Sequence, residues 1–325
     1  MTSRGLRFSK VRHRPAVVGT CLCFIIITVE AKPGSAQEIV GKRQFSDQLV
    51  VSEPFVEDEL EFPPILHILR PRRGDAPRAQ ETQIGAELKK RLTPDFEISL
   101  AGGFTDLSPD GKPTVTGFDN LEVGLKYQFL RDPSREAVAS IALSWEVGGT
   151  GRAAAGAESF DTLSPAILGG KGLGDVPDTF AAFRPLVLAG RLGADIPTRA
   201  SSRSSTDIGE GRHPNSLAWG AVVAYSLPYL QAHVKDLNLP APLDSMVPLA
   251  ELDLHTGLDR GQSGRTTGTT NLGAVWVGNG IQIGVEAIVP VNERSGKNVG
   301  VRGFVRFDLD RVLGERAAQP VFGNR

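Results

Sequence analysis

The side chains best suited to chemistry in this sequence are few and widely spaced. His255 follows Asp253 by two residues and Glu251 by four, in a stretch that alternates apolar and polar positions. On an extended strand such spacing puts all three on one face. A histidine beside carboxylates is part of a hydrolytic site, which also needs a serine within hydrogen-bond reach. The next serine, Ser263, falls in a Gly-rich stretch whose spacing does not aim it at His255, and the chain has no G-x-S-x-G turn. The run Gly169-Gly170-Lys171-Gly172-Leu173-Gly174-Asp175 has the glycines and lysine of a phosphate loop. It lacks the G-x-x-x-x-G-K-[ST] spacing and a following helix, so a tight turn is expected. There is no His-x-His and no H-E-x-x-H. Asp106 and Asp110 are expected in a solvated loop rather than around calcium. The sequence reads as a non-enzyme, with no catalytic residue, metal or cofactor.

What remains is charge set at alternate positions. Glu122, Lys126, Glu146, Arg191, Glu251, Asp253, Glu286, Arg302 and Arg306 all fall on the polar parity of alternating segments. They are the candidate lining of a lumen. One reading makes them a charged passage that sets solute selectivity. The other makes them a salt-bridged interior with no open path, as in small filled barrels.

The elements that carry these residues are strands. In 120–130, Leu121, Val123, Leu125, Tyr127 and Phe129 share one face, while Glu122, Gly124, Lys126 and Gln128 share the other. Strict alternation over ten residues marks a strand. Segments 95–104, 281–290 and 298–308 repeat the pattern, and 83–92, 136–148, 160–170, 184–196, 216–227, 247–257 and 269–278 do so more weakly. Segment 60–70 completes twelve, with Pro63 and Pro64 arguing against a central strand there. Only 228–238 reads as a short helix. Several strands reach ten residues, enough to cross a bilayer when tilted. Short connections (Thr93-Pro94, 131–135, Asn279-Gly280) nearly alternate with longer ones (105–118, 149–159, 197–215, 258–268), as periplasmic turns and outer loops do. The connections 171–183 and 228–246 break the pattern by being long on the periplasmic side. The stretch 291–297 breaks it by being short on the outer side.

Composition limits the alternatives. The chain has 325 residues, 40% hydrophobic and 22% charged, with a formal net charge of -1. Collagen, disorder, a cysteine scaffold and a helical membrane bundle are excluded. Residues 1–36 read as a secretory signal: Arg4, Arg7, Lys10, Arg12 and Arg14 precede an apolar run from Ala16 to Val29, and Gly34-Ser35-Ala36 forms the cleavage site. Both cysteines, Cys21 and Cys23, leave with it, and the remainder carries 30 basic and 36 acidic residues. An acidic exported chain is not expected to bind nucleic acid.

Alternation alone fits a soluble sandwich, with its apolar face packed inward, as well as a membrane barrel with that face outward. An arginine facing mid-bilayer costs about 2–4 kcal/mol, so in a barrel Arg302 and Arg306 must face the lumen. Export, strand number and length, and a last strand ending on Phe307 favour the barrel. The expected organisation is a signal peptide at 1–36, a periplasmic N-terminal arm at 37–59, an antiparallel up-and-down transmembrane β-barrel of about twelve strands at 60–309, and a tail at 310–325. For the acidic 53–61 stretch (EPFVEDELE) the alternatives to a partly ordered arm are a plug entering the barrel and a disordered lead-in to the first strand.

The segments EPFVEDELEFPPILHI (53–68), TPDFEISLAGGF (93–104), NLEVGLKYQFL (120–130), GKGLGDVPD (170–178), YLQAHVKDLNLPAP (229–242) and VGVRGFVRFDLD (299–310) together resemble the MetA-pathway phenol-degradation family of bacterial outer-membrane transporters. The resemblance spans nearly all of the chain beyond residue 36. It implies an outer-membrane barrel that passes small organic solutes, aromatic or apolar ones among them, and no catalytic residues. The partners expected are outer-membrane lipid, the solute, and the barrel-assembly machinery through the terminal strand at Phe307. The alternatives are a non-transporting envelope scaffold and a soluble periplasmic ligand-binding β-protein.

Overall fold

The computed structural model describes residues 39–70, 77–201 and 213–322. The expected signal segment lies outside them. Twelve antiparallel strands close into a barrel. The first, β1, comes in two pieces, Glu59–Glu61 and Ile65–Arg70. Then follow β2 (Ala79–Thr93), β3 (Phe96–Pro109), β4 (Leu121–Asp132), β5 (Ala137–Val147), β6 (Thr162–Gly172) and β7 (Leu186–Pro197). The circuit continues with β8 (Ser216–Tyr225), β9 (Met246–Gly257), β10 (Thr266–Val277), β11 (Ile281–Pro290) and β12 (Gly300–Asp308). Each strand pairs with the next, and both pieces of β1 pair with β2 on one side and β12 on the other. Closure leaves no open edge, which a bilayer would penalise heavily.

Pro63 and Pro64 split β1 without breaking the circuit. Phe62 still donates to the Val305 carbonyl at 2.8 Å, and the Gly85 amide donates to the Pro64 carbonyl at 2.8 Å. Gly85 is required there, because a β-carbon on it would lie 2.9 Å from the Pro64 ring.

The unbroken strands run from 9 residues in β12 to 15 in β2, the length a tilted strand needs to cross the hydrocarbon. Their two faces differ sharply. Ile98, Leu125, Ile141, Leu143, Ile167, Leu192, Val223, Leu272 and Val285 point outward and are exposed, Ile167 by 58% and Val285 by 57%. On the opposite parity Glu251 and Glu286 keep only 1% and 2% of their surface. An apolar exterior around a charged interior is the inverse of a soluble sandwich, and it fixes which face meets lipid.

The turns 94–95, 133–136 and 278–280, together with both ends of the barrel, lie at one rim. That is the periplasmic rim by the general rule for such barrels. The two long connections at this rim hold local structure: a 3-10 turn at Asp178–Phe183, and a helix, α1 (Leu227–His233), capped by the Ser226 hydroxyl accepting from the Tyr229 amide at 3.2 Å. At the other rim, part of the expected 105–118 loop is a ribbon. There β3 continues to Pro109, and Val115–Phe118 folds back on Phe104–Leu107. The tail forms a second short helix, α2 (Leu309–Leu313), and crosses the seam between first and last strands. Its Val321 and Phe322 amides donate to the Arg91 and Leu92 carbonyls of β2 at 3.1 and 2.7 Å.

Candidate functional site

The segment expected to project as a periplasmic arm at 37–59 is folded inside the barrel from residue 39 onward. It begins at the periplasmic rim with a small hairpin, Ile39–Val40 against Arg43–Gln44. Arg43 is fully buried there. Its guanidinium pairs with Glu136 at 2.7 Å, donates to the Pro185 carbonyl at 3.1 Å and lies 4.0 Å over the Tyr229 ring. Burial and the neighbouring Glu136 carboxylate push the Tyr229 hydroxyl above its usual range, so it stays protonated and donates to Glu136.

From the hairpin the chain climbs to mid-lumen and turns back. At the reversal the Leu49, Val50 and Val51 amides donate to the Glu251 carboxylate at 2.7, 2.9 and 3.0 Å, and Arg302 donates to the Leu49 carbonyl at 2.7 Å. On the return, Lys126 donates to the Phe55 carbonyl at 2.6 Å, and the Glu57 amide donates to Glu97 at 2.6 Å. The arm's acidic run is answered by basic groups of the wall. Lys89 pairs with Glu53, with Glu59 at 3.0 Å and with Glu57 at 3.8 Å, and Lys126 faces Glu97 at 3.4 Å and Glu53 at 3.7 Å. Arg306 pairs with Asp47, with Glu59 at 3.0 Å and with Glu61 at 2.7 Å. Asp47, Glu57 and Glu59 bring three carboxylates together, with Lys89 and Arg306 supplying the positive charge.

Around the rest of the circumference this part of the lumen is greasy. Val40, Phe45 and Phe55 of the arm pack with Val138, Val187, Ala224, Val247, Leu249, Val275 and Phe304 of the wall. The periplasmic half of the barrel is therefore mostly packed, with a cavity of about 210 Å³ beside Lys89, Glu97, Lys126 and Arg306, and the outer half keeps more open space, with cavities of about 430 and 270 Å³ above and beside the reversal.

The nine candidate residues differ in burial. Lys126, Glu251, Glu286 and Arg306 are buried, while Glu122, Glu146, Arg191, Asp253 and Arg302 keep exposed surface. Glu122 faces Glu146 directly across the β4–β5 pair, and Asn120 donates to Glu146 at 2.7 Å. Arg191 reaches Asp253 at 2.9 Å. His255 has its Nδ1 2.8 Å from Asp195 and its Nε2 3.5 Å from Asp253. Ser164 and Ser216 donate to Asp195, not to the imidazole, so the cluster lacks the serine–histidine hydrogen bond that nucleophilic catalysis uses. Lys171 donates to Asp175 at 2.8 Å in the expected turn, which draws the Asp175 carboxyl below its ordinary range.

Sequence reasoning missed Asp195, although it shares the parity of Arg191. It also missed the arm's Asp47 and Glu53, and Phe304, an aromatic on the polar parity.

No family and no curated protein matches the chain at significant similarity. Among solved structures it resembles an outer membrane channel from Pseudomonas putida F1, with a TM-score of 0.52 at 12% identity over 86% of this chain and 99% of that one. More distant likenesses are the KdgM porin (TM-score 0.45, 12% identity, 77% of this chain and 98% of that one) and the NanC porin (TM-score 0.45, 10% identity, the same shares). With its apolar exterior and charged interior, the chain has the fold of an outer-membrane β-barrel.

Proposed function

We propose that the chain is an outer-membrane channel for small organic solutes, closed in the described state by its own residues 39–58. The observation that carries this reading is the contrast between the two halves of the lumen. The outer half is lined by partly exposed charged groups, Glu122, Glu146, Arg191, Asp253 and Arg302, and the periplasmic half is filled by a segment of the same chain. A wall finished with an inward charged face and then stopped by a separable segment suits a gated passage. The resemblance to the phenol-degradation family makes aromatic solutes the first to try. The terminal strand, with Phe307 opposite Ile281, is the segment offered to the assembly machinery.

The packed periplasmic half also favours a second reading, a permanently closed barrel that serves the envelope as a scaffold. Planar-bilayer recording separates the two. Discrete openings by the full chain support the channel. Silence from the full chain and from a variant that lacks residues 39–52 supports the scaffold.

A further inference from the structure

Above the reversal lies a cavity of about 430 Å³, within the range of about 300–1,000 Å³ typical of small-molecule sites. Its floor is Val50 at the tip of the inserted segment. Leu66 and Ile68 of β1 and Ile288 of β11 make an apolar wall, and Arg302 and Asp253 are its central charges. The loop 291–299 roofs it and is tied to the neighbouring strand: the Gly268 amide donates to the Ser295 hydroxyl at 2.8 Å, the Val291 amide to the Gly268 carbonyl at 3.1 Å, and the Asn292 side chain to the Thr266 carbonyl at 3.0 Å. The cavity is thus preformed.

Three charged residues line it, and they are not equivalent: Arg70 is already paired with Glu81 of β2. Asp253 is engaged by Arg191 at 2.9 Å and by His255 at 3.5 Å. Arg302 donates to the Leu49 carbonyl and forms no ion pair among the described residues. The nearby Glu251 carboxylate is taken by three amides of the reversal, and Glu286, directly across the β11–β12 pair, forms no ion pair with it. A guanidinium with spare donors beside an apolar wall recognises a molecule with a greasy body and one carboxylate.

We propose that this cavity binds a small amphipathic monocarboxylate, its apolar body on Leu66, Ile68, Ile288 and Val50 and its carboxylate on Arg302. As a solute site it rests on the channel reading, although binding itself does not require conduction. Because the same guanidinium holds Leu49, an occupant competes with one of the bonds that fix the inserted segment.

The test is calorimetric titration of the full chain, folded in a nonionic detergent, with hexanoate, hexanol and hexylamine. Hexanoate binds at least about tenfold more tightly than hexanol, and hexylamine binds no better than hexanol. Arg302→Gln weakens hexanoate binding by about 10- to 100-fold and leaves hexanol unchanged. Ile68→Trp fills the cavity with Arg302 intact and abolishes hexanoate binding, so the test survives a failure of the arginine variant to fold. Equal binding of hexanol and hexanoate, unaltered hexanoate binding by a folded Arg302→Gln, or unaltered binding by a folded Ile68→Trp overturns the proposal. Hexanoate binding by a protein that passes no current supports the site and counts against the channel. Current without hexanoate binding does the reverse.

Discussion

Glu251 offers the sharpest perturbation of the inserted segment. Its carboxylate is 1% exposed and accepts three backbone amides, from Leu49 at 2.7 Å and from Val50 and Val51 at 2.9 and 3.0 Å. In Glu251→Gln the side chain keeps nearly the same volume and one acceptor oxygen. It loses its charge and presents an NH2 to a backbone N–H. A hydrogen bond to a charged acceptor contributes about 1.5–3 kcal/mol, and a donor facing a donor leaves a buried group unsatisfied. Losing one such bond and weakening the others costs the inserted state about 2–4 kcal/mol. Since about 1.4 kcal/mol is a factor of ten, the ratio of inserted to released segment falls by about 30- to 1,000-fold. Single-channel recording reads this as the fraction of time open. Glu251→Gln is expected to open far more often than the parent at the same voltage, with unchanged conductance per opening. An open fraction equal to the parent's, in a folded and inserted variant, refutes the reasoning, because it means that the reversal is not what holds the passage closed.

Other outcomes follow from the same geometry. Arg306→Met leaves Asp47, Glu59 and Glu61 without their shared guanidinium, and urea unfolding should show a loss of about 3–5 kcal/mol, as for a broken buried ion pair. Glu122→Gln with Glu146→Gln removes a like-charged pair facing the open half of the lumen, and reversal potentials in a salt gradient should shift toward anions. Leu125→Arg puts a cation on the lipid face one residue from Lys126, and unfolding from lipid vesicles should show about 2–4 kcal/mol of destabilisation.

The strands were legible because a sheet that meets lipid on one side and polar groups on the other must alternate, and alternation is local. Leu125 and Lys126 could be assigned to opposite faces from the sequence alone. Arg302 and Arg306 had to face inward on cost alone, and they do. The inserted segment was legible only as an alternative, a plug weighed against the preferred periplasmic arm. EPFVEDELE carries no periodicity, and its partners Lys89, Lys126 and Arg306 lie 36, 73 and 253 residues beyond Glu53 along the chain. Long-range charge pairing of this kind leaves no local trace. A hint was nonetheless present. A wall with several inward lysines and arginines needs carboxylates to neutralise them, and the acidic run 53–61 leads into the first piece of β1. The greasy floor was hidden for a related reason: Val138, Val187, Val275 and Phe304 sit on the polar parity and look like lapses in the pattern until Phe45 and Phe55 are seen packed against them.

The most direct test of the gated channel is a reversible clip between the inserted segment and the wall. A β-carbon on Gly220 would lie 2.9 Å from Val51 Cγ2 and 2.8 Å from the Leu252 carbonyl, so Val51→Cys with Gly220→Cys, after a small shift of the β8 backbone away from that carbonyl, brings two β-carbons to about the 3.5–4.5 Å that a disulfide spans. Recorded in planar bilayers, the oxidised protein should be silent and should begin to conduct when a reductant is added. Equal current from the oxidised and reduced forms would contradict the account.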